Sequence, residues 1–169
     1  MVLNFQRNDA SYSPEKREQV NRLNTKMIER VVHPYNLQKA VEQVISNKGS
    51  AGVDGIKTSQ LKTLFPKRKD QLLEAIRQGN YQPSAILGVE IPKGEGKTRL
   101  LGVPTTTDRV LQQAVSQVIA PLFEPEFSHN SFGFRPNKNA RQAVGQARDY
   151  IHQGLDHIVD IDLKNFFDE

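Results

Sequence analysis

The sequence contains no cysteine. That excludes disulfides and cysteine-ligated zinc or iron–sulfur sites, and it fits a reducing compartment. No apolar run approaches the ~18 residues that a membrane-spanning helix needs, so no membrane partner is expected. The opening "MVLNFQRNDASYSPEKREQ" holds no apolar core of a secretory signal, and none is expected. The 4 histidines show no metal-ligand spacing, and no Ser/His/Asp or Walker-type arrangement occurs. "AGVDG" is too short for a dinucleotide-binding loop. With 9 prolines and 11 glycines among 169 residues the chain is neither disordered nor collagen-like.

The chain has 37% apolar and 25% charged residues, enough for one ordinary core. Its net charge of +4 is unevenly placed. Residues 57–99 carry 9 basic side chains against 4 acidic ones, whereas residues 100–169 carry 6 against 9. A basic middle followed by an acidic end suits a polyanion site beside a metal site, although ordinary helix surfaces produce the same imbalance.

Apolar spacing predicts a helix over 13–32 with Ser13 as cap, Pro14 in the first turn and a narrow stripe of Val20, Leu23, Met27 and Val31. A second helix is expected over 36–49, capped by Asn36 and stopped by Gly49. After the loop "SAGVDGIKTSQL" and short helical turns, Pro66 is expected to separate those turns from a helix near 67–78 that Gly79 ends. "ILGVEIPKGEGKTRLLGVP" (86–104) reads as a hairpin with the glycine-rich tip "KGEGK". Helices over 107–123 and 137–154 follow, the first with Val110, Leu111, Ala114, Val115, Val118 and Ile119 on one side, the second capped by Asn137 and closed by Gly154. "HIVDIDL" reads as a final strand. The fold class is α+β, mostly helical with a β-hairpin and a further strand.

Three stretches can carry chemistry. Lys93, Lys97 and Arg99 sit at or beside the hairpin tip, where mobile glycines and cations suit phosphate oxygens. A solvated turn has the same composition. In "SFGFRPNKNARQA" (131–143), Gly133 between aromatics suggests a close backbone approach. Phe132 and Phe134 offer rings that can stack on bases, and Arg135 precedes a capped helix. Aromatics packed in a core and a structural ion pair at Arg135 are the plainer readings. In "VDIDLKNFFDE", strand alternation puts Asp160 and Asp162 on one face. Carboxylates near the end of an apolar strand are costly unless they are paired or hold a metal, and magnesium takes carboxylate oxygens.

Taken in order, "GSAGVDGIKTSQL", "IPKGEGKTRLLGVPTTTDRVLQQAV", "FSHNSFGFRPNKNARQAV" and "VDIDLKNFFDE" resemble the N-terminal blocks of group II intron-encoded reverse transcriptases, also called maturases. The resemblance runs from about residue 36 to the end. It implies a right-hand polymerase, with an N-terminal extension over 1–35, fingers over 36–155 and the start of the palm over 156–169. On this resemblance Asp162 is a catalytic metal ligand, with the backbone carbonyl of Leu163 beside it, for two magnesium ions in a complete site. Lys93 and Arg99 grip the incoming dNTP, and Phe167 is the bulky residue beneath its sugar. Lys97, Arg135, Phe134, Lys67, Arg68 and Lys69 face nucleic acid. Asp160 has no matched role.

The implied partners are template or intron RNA, primer DNA and dNTP, and the stripe of the first helix would also permit a homodimer. The Tyr-x-Asp-Asp motif that carries the family's other catalytic aspartates does not occur in this sequence, so the chain alone is expected not to polymerise. Three alternatives stay open: an RNA-binding splicing cofactor module, a reverse transcriptase of a CRISPR-associated or diversity-generating lineage, and a metal-dependent nuclease using Asp160 and Asp162.

Overall fold

Three helices share one apolar core, and that core begins where the sequence turns amphipathic. The computed structural model describes residues 15, 18, 26–94 and 96–163. The expected cap at Ser13, Pro14 and the stripe residues Val20 and Leu23 lie outside the described residues. Residues 26–31 are helical, as the spacing predicts. The chain divides into two compact units, Met1–Leu122 and Phe123–Glu169.

In the first unit, helix α1 spans Pro34–Ser46. His33, rather than Asn36, is its cap: His33 Nδ1 accepts from the Tyr35 N–H at 3.3 Å, and Pro34 fills the first helical position, where no donor is needed. Asn36 instead ties elements together. Its Nδ2 donates to Val31 O at 2.8 Å and to Ala114 O at 3.0 Å, while Gln117 Nε2 donates to its Oδ1 at 2.7 Å. The helix ends earlier than Gly49, because Lys48 takes the left-handed conformation (φ 51°) just past the cap Asn47.

A 3-10 turn, Thr58–Gln60, leads into helix α2, Leu61–Arg77. Pro66 does not separate two elements as expected; it lies inside α2. A proline there removes one helical hydrogen bond and crowds the preceding turn. Leu61 and Phe65 before it and Leu73 after it are all buried, so packing holds both arms in line. Gly79 (φ 70°) ends the helix as predicted, with Asn80 N–H donating to Ala75 O at 2.8 Å.

Strands β1 (Leu87–Gly94) and β2 (Lys97–Val103) pair antiparallel, in register from Leu87↔Val103 to Gly94↔Lys97, with a bulge between Pro92 and Gly94. Gly94 and Gly96 both adopt positive φ, which the tight tip requires. Nearly every hairpin residue is exposed on both faces. Helix α3, Thr106–Phe123, buries Val110, Leu111, Ala114 and Val118. Val115 and Ile119, expected on the same side, lie on its flank, 39% and 36% exposed. The buried positions at spacings of 1, 3 and 4 form a narrower stripe, wide enough for one layer of neighbours. Leu37, Ala40 and Val44 of α1, Leu61, Phe65 and Leu73 of α2, and Val110, Leu111 and Ala114 of α3 make one cluster with Val32.

In the second unit a 3-10 turn, Glu124–Glu126, and a loop precede helix α4, Ala140–His152. Its cap is Asn139, not Asn137: Gln142 N–H donates to Asn139 Oδ1 at 3.0 Å and Asn139 N–H donates to Gln142 Oε1 at 2.9 Å, a reciprocal box that Asn137 has no partner to form. Asn137 takes a left-handed turn position instead (φ 59°). Gly154 (φ 87°) closes the helix as expected. No described residue of this unit is buried.

The strand expected over "HIVDIDL" is absent: residues 155–163 have no regular secondary structure. A strand is satisfied only by a neighbour's backbone groups, and among the described residues the one sheet is the two-stranded hairpin. The described architecture is therefore α+β, helices with one antiparallel hairpin.

Truncating Leu61 to Ala should lower stability by about 2–5 kcal/mol, the cost of a cavity in a packed core. Leu100→Ala, at a side chain 75% exposed on the hairpin, should change it by less than about 0.5 kcal/mol. Urea denaturation of the two variants measures both; equal losses would contradict this placement of the core.

Candidate nucleic-acid and nucleotide interface

The hairpin brings Lys93, Lys97 and Arg99 together at one end of β1 and β2. Arg99 lies opposite Ile91 in the register and so shares its face, and Lys93 follows two positions beyond Ile91, at the bulge. All three are exposed, and the positive-φ glycines beside them leave the backbone open to a ligand. Cations on a two-stranded ribbon that reaches into water can neutralise phosphate oxygens without having first been buried. Lys67 and Arg68 are exposed on α2, and Lys69 is half-buried.

What fixes the hairpin lies at its foot. Asp108, in the first turn of α3, is 5% exposed. Its Oδ1 accepts from the Tyr81 hydroxyl. Its Oδ2 accepts from Thr105 Oγ1 at 2.5 Å and from the Ser84 N–H at 3.3 Å. In return, Asp108 N–H donates to Thr105 Oγ1 at 3.2 Å. Ser84 precedes β1 and Thr105 follows β2, so one carboxylate holds both ends of the hairpin. Arg109 Nη2 donates to Ser50 O, which draws in the "SAGVDG" loop. A Cβ on Gly52 would lie 2.7 Å from Thr105 Cα and 2.8 Å from Pro104 O, so only glycine lets that loop approach.

By residue type alone, Tyr81, Ser84, Thr105 and Asp108 do not stand out in the sequence as functional groups. The signal was legible in "TTTD": Thr105 and Asp108 at cap and third positions are the spacing of a helix-start box.

In the second unit the "FGFRP" loop is organised by Arg135, whose side chain is 10% exposed. Its Nη2 and Nε donate to Glu124 Oε1 at 2.7 and 3.0 Å, and its Nη1 donates to Ser128 O at 2.6 Å and Ser131 O at 3.1 Å. The guanidinium also lies 5.2 Å from the centre of the Phe127 ring. Arg135 is thus the structural ion pair rather than an outward-facing cation.

The close backbone approach expected at Gly133 does not occur, since a Cβ there would meet nothing within 4 Å. The left-handed residue is Phe134 (φ 55°), and its ring is fully exposed. Phe132 is half-buried and has Lys138 Nζ 4.8 Å from its ring centre. An aromatic residue in a left-handed conformation costs about 1–2 kcal/mol, and here the loop's arginine scaffold holds it there.

Asp160, Asp162 and Leu163 are exposed in the irregular segment 155–163. The Asp162 carboxylate and the Leu163 carbonyl are hard oxygen donors of the kind magnesium takes. Among the described residues no group of three or more His, Asp or Glu side chains is positioned to hold a metal. Phe167 lies outside the described residues. Among them, no helix is long and apolar enough to cross a membrane.

Residues 91–169 match the family described as reverse transcriptase (RNA-dependent DNA polymerase). The chain is 30% identical over 149 residues to Protein YkfC of Escherichia coli (strain K12), which covers 85% of this chain and 39% of that protein. It is 27% identical over 157 residues to the group II intron-encoded protein LtrA of Lactococcus lactis subsp. cremoris, covering 92% of this chain and 26% of that one. It is also 27% identical over 153 residues to the putative COX1/OXI3 intron 2 protein of Saccharomyces cerevisiae (strain ATCC 204508 / S288c), covering 86% of this chain and 17% of that one. The chain therefore spans well under half the length of these curated relatives. The block that carries the hairpin, the Asp108 foot, the Arg135 loop and Asp162 thus belongs to the group II intron reverse transcriptase/maturase family.

The buried foot has a readout of its own. Burial first, then the hydrogen bond to Asp108 and its negative charge, raise the Tyr81 hydroxyl pKa well above its ordinary 10.0. The unfolded chain therefore releases this proton before the folded one does. The stabilising contribution is complete below pH 10.0 and is lost as pH rises through the higher folded value. Tyr81→Phe should flatten the alkaline fall in stability, and it should remove the last tyrosinate to appear in an absorbance titration. A wild-type chain whose tyrosines all ionise together would contradict the clamp.

Proposed function

We propose that this chain is the N-terminal extension (1–35), fingers (36–155) and first palm segment (156–169) of an RNA-directed DNA polymerase. The observation that carries the reading is the exposed cationic tip on an anchored hairpin, in the stretch where the reverse transcriptase match begins. Lys93 and Arg99 neutralise the triphosphate of an incoming dNTP, and Lys97 adds a cation beside the same ligand. Phe134 offers an exposed ring for a template base to stack on, and Arg135 positions it rather than contacting nucleic acid.

Asp162 and the Leu163 carbonyl would hold one side of a magnesium site, and Phe167 would be the bulky residue that discriminates the nucleotide sugar. Bound magnesium supplies alignment of the attacking and leaving oxygens in phosphoryl transfer. Further carboxylates are needed for that, because the sequence has no Tyr-x-Asp-Asp motif. This chain by itself therefore binds without polymerising. A dimer through the first helix is not needed for any of these roles.

In a full-length protein containing this chain, Asp162→Ala should abolish primer extension. Lys93→Ala and Arg99→Ala should each raise the KM for dNTP about tenfold, the scale of one charge-assisted contact. Retained extension by the Asp162 variant would sink the assignment.

A second reading, RNA binding as a splicing cofactor, is favoured by the excess of 9 basic over 4 acidic side chains in residues 57–99, with Lys67 and Arg68 exposed. RNA affinity of this chain should then fall steeply with salt. Replacing Lys67 and Arg68 with Ala should shallow that slope by about one unit per lost phosphate contact. Phe134→Gly should weaken RNA binding by about 1–3 kcal/mol without lowering thermal stability. A salt-independent affinity would rule this reading out.

A further inference from the structure

We propose that Asp108 is a positioning residue for the nucleotide grip: its buried carboxylate sets the direction of the hairpin and so places Lys93 and Arg99. The inference rests on the reading of those two cations as triphosphate ligands. Its structural half stands without it.

The hairpin has no packing of its own to hold it. Both strands are exposed on both faces almost throughout, and an isolated two-stranded ribbon is marginal in water. Its direction must therefore be fixed where it joins the body of the unit. There the incoming segment supplies the Tyr81 hydroxyl and the Ser84 N–H, and the outgoing segment supplies the Thr105 hydroxyl. Three donors converge on one group that must only accept.

A carboxylate meets this demand with two oxygens and their lone pairs. It also sits in the first turn of α3, where the helix dipole favours negative charge. The helix continues into the core through Val110, Leu111 and Ala114, so the carboxylate is mounted on an element anchored by buried side chains. Pro104 and Thr105 are held from the other side by the Gly52 backbone, and the Ser50 carbonyl accepts from Arg109. The geometry thus leaves the two feet of the hairpin little freedom while the carboxylate is present.

An amide in its place breaks the match. Asparagine has the same shape but one acceptor oxygen, and its NH2 would face at least one of the three donors. The cap itself survives, because the bond to Thr105 Oγ1 comes from the residue-108 backbone N–H. Asp108→Asn should therefore loosen a foot of the hairpin without unfolding α3. Tyr81→Phe is a milder form: it removes one of the two ties on the leading foot and leaves the Ser84 N–H bond in place.

The absence of cysteine makes the test direct. Thr98→Cys near the tip and Gln112→Cys on the exposed side of α3 create the only two thiols in the chain. Spin labels there report the hairpin-to-helix distance by pulsed electron resonance. The parent pair should give a narrow distribution. Asp108→Asn, and to a lesser extent Tyr81→Phe, should broaden or shift it while helical circular dichroism is retained. An unchanged distribution in both folded variants overturns the proposal. Should Asp108→Asn fail to fold, Tyr81→Phe alone decides in the same way.

In a full-length protein containing this chain, Asp108→Asn should raise the KM for dNTP about tenfold with kcat little changed. A merely destabilised enzyme would instead lose active fraction, lowering kcat at constant KM. An unmoved KM in Asp108→Asn, with KM raised in Lys93→Ala, also overturns the positioning role. If Lys93→Ala leaves KM unmoved too, the nucleotide-grip reading is what fails, and the distance distribution alone then decides the clamp.

Discussion

Taking a carboxylate out of water costs several kcal/mol unless donors replace the lost hydration. At Asp108 the replacement comes from two segments that are far apart in sequence and adjacent only in the fold: Tyr81 and Ser84 on one side, Thr105 on the other. The charge can be buried only if both arrive. The start of α3, the entry to β1 and the exit from β2 are thereby made mutually dependent. Gly52 and Arg109 add the 49–55 loop to the same junction. The apolar cluster of α1, α2 and α3 supplies the bulk of the burial, but it does not reach the hairpin; the polar junction does.

The second unit is built by the same logic with less apolar help. None of its described residues is buried, and its loop is ordered around the Arg135 guanidinium, which fills its donors with Glu124 and backbone carbonyls. Arginine suits this because its planar fork reaches several acceptors at once. The result is an outward Phe134 in a conformation that such a residue rarely takes. In both units a charge placed inward orders the backbone, and the groups left outward are those suited to nucleic acid.

Much of this was legible in the sequence. The hairpin and its tip, the helix over 106–123 and the glycine stops at Gly79 and Gly154 follow from local chemistry alone. Where reading and structure part, long-range contacts decided. Asn36 looks like a cap, but Ala114 and Gln117, some eighty residues away, claim it. Pro66 looks like a break, but burial on both sides carries the helix through. "HIVDIDL" has the alternation of a strand, yet alternation describes which face would be buried and cannot supply a hydrogen-bonding neighbour. The candidate cations of the hairpin stand out by their residue types. The aspartate beneath them does not stand out, because its pairing with Tyr81 and Ser84 spans more than twenty residues and only its partner Thr105 is close by.

The hairpin has a consequence for how copies of this chain meet one another. A sheet of two strands is all edge: half of each strand's backbone groups point outward, unpaired by the other. Apolar strands of this kind invite a second chain to add itself and begin aggregation. Here the invitation is withdrawn at the tip. Pro92 has no N–H to offer, the bulge beyond it breaks the register a newcomer would need, and Lys93, Lys97 and Arg99 set like charges against like on any identical neighbour. The side chains that suit the hairpin to a polyanion are also those that keep it from its own kind.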